Sequence, residues 1–237
     1  MHAASALVQR LRTVGSDLPN HLAEQILALG RDASPLLLGL LDDGRARQQD
    51  EAPNAAENCV ECGGAHDPAW ARLHAVDLLT ELREPAAMDA MLTVLESTSP
   101  DEPIHDKIVE RLPDFGVAAL EPILAALDRT TKATETAESL CCILAVLGVR
   151  DDRILQALLD LMTVHPRAAA TYLADYGDPG AGPSLLAVIT AAEPDIGDSL
   201  ARLEFFDLLD AYASLGGELP ADVKARIDAW LGGMSAS

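Results

Sequence analysis

The residues best suited to chemistry lie in one short segment, Cys59-Val60-Glu61-Cys62-Gly63-Gly64-Ala65-His66. Two thiolates separated by two residues and followed by glycines form half of a zinc knuckle, because the turn aims both sulfurs at one ion. His66 is placed to be a third ligand, and His74 or His105 could swing in from neighbouring helices to complete a tetrahedron. The sequence offers no second CxxC, and a lone CxxC outside a βαβ context is poor evidence for thioredoxin-like redox work. The favoured reading is therefore two reduced cysteines and no cofactor, with structural zinc on Cys59, Cys62, His66 and His74 as the other outcome. Cys141 and Cys142 do not read as ligands. Cys141 falls in an apolar helical column, and Cys142 points toward the opposite face.

Two His-Asp pairs, His66-Asp67 and His105-Asp106, precede helical patterns. An acid at a helix start satisfies free amide hydrogens, so a cap is the simpler reading and a metal pair the other. No HExxH, no nucleophile elbow and no glycine-rich phosphate loop occurs.

The chain has 237 residues, of which 38 are acidic and 17 basic, for a formal charge of −21. Nucleic acid is bound largely by phosphate neutralisation, so a chain this acidic is not expected to bind it. An anionic membrane surface is disfavoured on the same ground. Aromatic residues make up only 3%, so the core must be built from small aliphatic side chains, as helix-on-helix packing prefers. The segment 1–17 shows apolar residues at Ala3, Leu7, Leu11 and Val14 with arginines between, which reads as a capping helix and not a signal peptide. No segment has the roughly 18 apolar residues of a membrane span. A cytoplasmic location is the expectation.

What must position these residues is a repeat. An apolar residue followed by a break recurs as Leu29-Gly30, Leu82-Arg83, Phe115-Gly116, Leu147-Gly148, Tyr176-Gly177 and Leu215-Gly216. Eight places before each break stand Leu22, Ala75, Ile108, Leu140, Ala169 and Leu208; four places before stand Ile26, Leu79, Leu112, Leu144, Leu173 and Tyr212. All are apolar, and together they mark one helical face repeated six times. A second apolar helix pattern follows each break, with Pro35, Pro122, Pro183 and Pro220 near its start, where a missing amide hydrogen costs nothing. Residues 43–68 interrupt the array as a polar insertion carrying the CxxC, read as a loop, and 199–237 form a C-terminal capping repeat. Six places before each break stand Glu24, Asp77, Glu110, Cys142, Thr171 and Asp210. This column should face solvent, and its four acids are a candidate surface for a basic protein partner.

Through segments such as HAVDLLTELREPAAMDAMLTVLES (74–97) and LPDFGVAALEPILAALD (112–128), the chain resembles the HEAT-repeat family, particularly the short bacterial HEAT-like type found in bilin lyases. The resemblance covers nearly the whole chain except the insertion. It implies an all-α fold, a right-handed α-solenoid of about six helix pairs over 1–237, with first helices outside and second helices lining the concave side. It also implies a non-catalytic protein-interaction scaffold or adaptor. The alternative is a metal-dependent or lyase-type enzyme on the same scaffold, since fold does not dictate function.

Overall fold

In a computed structural model, the protein is described over residues 2–50, 68–193 and 198–234, and every regular element among them is helical. The chain divides into two compact units, Met1–Ala126 and Leu127–Ser237.

Unit 1 opens with α1 (His2–Gln9), which tightens into a 3-10 turn over Arg10–Thr13. Ala4, Val8 and Leu11 are its buried positions, so the apolar face lies one residue away from the expected Ala3 and Leu7. Both rows satisfy a 3.6-residue period, and the contacts of the folded chain select between them. Helices α2 (Asn20–Leu27) and α3 (Ser34–Asp50) follow, then α4 (Pro68–Glu81), α5 (Pro85–Leu95) and α6 (Pro103–Arg111). The start of the insertion is thus helix and not loop, since α3 runs on to Asp50. The physical reason lies in its composition, because Arg, Ala and Gln extend a helix at little cost. Residues 51–67, which hold Cys59, Cys62 and His66, lie outside the described residues.

Helix α7 (Leu120–Arg129) leads on to unit 2, where α8 (Glu135–Val146), α9 (Asp152–Leu161), α10 (Pro166–Tyr176), α11 (Gly182–Ala191), α12 (Ser199–Ser214) and α13 (Ala221–Met234) complete the chain. Polar side chains fix several starts: Thr134 accepts from the Ala137 amide at 3.3 Å, and Asp198 from the Leu200 amide at 2.8 Å. Pro220 directly precedes α13, and its carbonyl accepts from the Lys224 amide at 2.9 Å. Within this unit α10 packs against both α8 and α12.

The six breaks coincide with the six left-handed residues of the described chain. Gly30, Gly116, Gly148, Gly177 and Gly216 have φ between 54° and 80°, and Arg83 has φ 49°. A left-handed residue ends a helix and turns the chain back toward the next. Every residue eight and four places before these breaks is buried, from Leu22 and Ile26 to Leu208 and Tyr212. Burying each such leucine or isoleucine contributes roughly 1.5–3 kcal/mol, so these two columns carry a large part of the stability. Gly217 answers to a different constraint: a Cβ there would lie 2.4 Å from the Tyr212 ring, which only glycine avoids.

Candidate functional site

His74, the fourth ligand in the zinc alternative, makes contacts of its own within unit 1. It lies buried in α4, its Nε2 is 2.8 Å from the Gly15 carbonyl oxygen, and its ring stacks on Trp70 at 6.5 Å between centroids. The imidazole thus ties α4 to the turn after α1. His105 is 2% exposed on α6, with Nδ1 3.5 Å from the Thr98 hydroxyl. Its neighbour Asp106 is exposed, so the two side chains diverge. Glu102, not the His-Asp pair, occupies the cap position of α6. The reason is that α6 starts at Pro103, which puts His105 and Asp106 inside its first turn, about 100° apart around the axis. Among the described residues no three His, Cys, Asp or Glu side chains converge as a metal site.

The acidic column divides. Glu24, Glu110, Thr171 and Asp210 are exposed, whereas Asp77 and Cys142 are half-buried. Asp77 Oδ1 lies 3.2 Å from Arg111 Nε and 3.3 Å from Lys107 Nζ, while Lys107 also reaches Glu110 at 3.4 Å. Arg111 further binds Glu81 and Asp114, each at 2.9 Å. These pairs link α4 to α6 and leave Asp77 and Glu110 already engaged. The packing of one first helix beside the next covers part of the column that a single helix would present to water.

A group of reactive side chains lies between α8 and α10. The Tyr172 hydroxyl donates to Glu138 Oε1 at 3.5 Å and hydrogen-bonds with the Cys142 side chain, and His165 Nδ1 is 3.6 Å from Glu138 Oε2. A thiol, an imidazole and a carboxylate thus lie near one another, with Tyr172 as the hydrogen-bond partner of the thiol. Burial first, then the carboxylates of Asp175 and Glu138, push the Cys142 thiol up. Cys141, fully in the core as its column requires, is pushed up to about 12 by burial above all. Burial likewise raises Tyr172. A thiol attacks as its anion, which burial disfavours at both cysteines.

The C-terminal pair offers a surface of another kind. On α12 the large apolar residues Leu200, Leu203 and Phe206 are 55%, 44% and 37% exposed. Phe206 adjoins Trp230 of α13 with ring centroids 6.0 Å apart, and Trp230 meets Phe205 edge-on at 5.5 Å. Trp230 in turn borders a cavity of about 220 Å³ walled by Ala192, Phe205 and Ile227, with Glu193 and Arg226 beside them. Arg226 is committed to the end of α11, where it donates to the carbonyls of Thr190 and Ile189 at 2.7 and 2.9 Å. Neither the apolar row nor the cavity stood out from the sequence. The signal was there in Leu200, Leu203 and Phe206, which are spaced three apart on the side of α12 opposite its buried Phe205, Leu208 and Tyr212.

No family model, curated protein or solved structure matches the chain. Among the described residues no helix is long and apolar enough to cross a membrane.

Proposed function

We propose that this chain is a HEAT-type α-solenoid, right-handed and of about six helix pairs, that serves as a non-catalytic scaffold for a protein partner. The observation that carries the reading is the coincidence of the six sequence breaks with the six left-handed residues, each closing a helix whose two marked columns are buried. Such pairs cannot bury their apolar faces alone and stack into arrays whose long surfaces bind other proteins.

Affinity purification from the native cell, run in parallel with a Glu138→Ala, His165→Ala, Cys142→Ala variant, tests this reading. The expected result is one stoichiometric protein partner, recovered equally by both. Recovery of none by either chain, together with a chemical activity that the variant loses, would overturn it.

A further inference from the structure

We propose that the C-terminal pair α12–α13 is the docking site, and that its occupant is a positively charged amphipathic helix of the partner protein. The proposal rests on the scaffold reading and deepens it. The apolar side of that helix lies along Leu200, Leu203 and Phe206, and one large apolar side chain enters the cavity beside Trp230. Helix-in-groove recognition works through such anchors at helical spacing.

Three observations choose this occupant. The first is size: the cavity, at about 220 Å³, lies below the roughly 300–1,000 Å³ of pockets that enclose drug-sized ligands, and it suits one side chain. The second is continuity. Phe206 touches Trp230 and Trp230 borders the cavity, so the exposed row and the hole form one apolar tract. The third is charge. Asp210 projects from the exposed side of α12, one helical turn beyond Phe206, and Glu193 stands at the cavity; neither makes an ion pair among the described residues. Bases are present too, Arg202 one turn before Phe206, Lys224 on α13 and Arg226 at the cavity, but residues 198–228 carry seven carboxylates against these three, so the surface around the tract is net negative. Two carboxylates around an apolar tract attract basic residues flanking apolar anchors, and opposite potentials across an interface steer encounter and fix register. A second copy of the chain would bring another charge of −21 to this surface.

The test uses the full chain and three designed helical peptides of equal length: Leu/Phe on one face with Lys/Arg on the other, the same apolar face with Glu on the other, and the basic face with Ala for the anchors. Calorimetry gives affinity, and Trp230 emission in a Trp70→Phe background reports occupancy of the cavity. The first peptide is expected to bind and shift Trp230 emission, the other two to bind at least about tenfold more weakly. Leu203→Asp should weaken the first peptide about tenfold or more, and the Glu193→Gln, Asp210→Asn double variant severalfold. Circular dichroism verifies that these surface variants keep their helicity.

Equal binding of the first peptide to wild type and all variants would overturn the proposal, because attraction to the other acids would then suffice. Light scattering that shows a wild-type dimer dissolved by Leu203→Asp would overturn it in favour of a second copy. If a stoichiometric partner is captured as described above and Leu203→Asp does not release it, this site fails while the scaffold reading stands.

Discussion

The Tyr176 hydroxyl grips both polar groups of one residue, accepting from the Asp151 amide at 3.0 Å and donating to the Asp151 carbonyl at 3.1 Å. It joins the end of α10 to the start of α9, two points 25 residues apart. Arg150 reinforces the joint, with its guanidinium 4.7 Å over the Tyr176 ring and donating to the Tyr176 carbonyl. Tyr176→Phe keeps the ring and removes both bonds. Loss of about 1–3 kcal/mol is expected, read as a lower urea midpoint with unchanged slope.

Asp151 itself gives a pH signature. Its carboxylate accepts from Arg153 Nε at 3.0 Å, Arg153 Nη2 at 2.8 Å and the Arg153 amide at 2.9 Å, which lowers it to about 2. An acid depressed on folding stabilises the fold above its unfolded value, about 3.9, and loses that contribution as pH falls through the folded one. Asn still caps a helix but cannot hold the charge. Asp151→Asn should therefore be less stable than wild type at neutral pH, and thermal melts should show the gap narrowing between about pH 4 and pH 2. A gap constant over that window would contradict the ion pair.

Arg83 is the one non-glycine among the six left-handed residues, at φ 49°. Left-handed backbone costs an L-residue about 1–2 kcal/mol, partly recovered in the lower freedom of its unfolded state. Arg83→Gly should stabilise by about 0.5–1 kcal/mol, and Gly148→Ala, at φ 73° with open space around it, should destabilise by about 1 kcal/mol. Paired denaturant titrations of the two variants check the opposite signs.

Leu112 and Leu144, four places before their breaks, are fully buried, one in each unit. Leu112→Asp or Leu144→Asp places a carboxylate among aliphatic side chains, at a cost of several kcal/mol. Both should lose helicity in a broad or missing thermal transition, followed by circular dichroism. Wild-type melting in both would show that the columns do not carry the fold.

The helical alternation was legible because the two features that mark it are local. A break needs a left-handed residue, hence glycine, and a buried face needs apolar residues at helical spacing; both are written within ten residues of each other. Side-by-side neighbours are not. Nothing near Asp77 in sequence announces Lys107 and Arg111, and nothing near His74 announces Gly15, 59 residues away. His74 and His105 looked available as ligands because their types suggest it, whereas their burial depends on what packs over them. Gly217, beside Gly216, depends in the same way on a neighbour, since its need comes from the Tyr212 ring. The row on α12 shows the converse: its apolar residues invite assignment to a core, and only the fold leaves them uncovered.

The left-handed breaks also bear on how quickly the chain finds its structure. Most of the packing joins helices one or two elements apart, such as α10 with α8 and α12 or α4 with α6, so most of the ordering closes loops of a few tens of residues within each unit. Pairing between near neighbours in sequence favours rapid ordering over the closure of distant segments. A growing polypeptide of this design could set its early pairs while later ones are still being synthesised, each break acting as a stopping point in assembly.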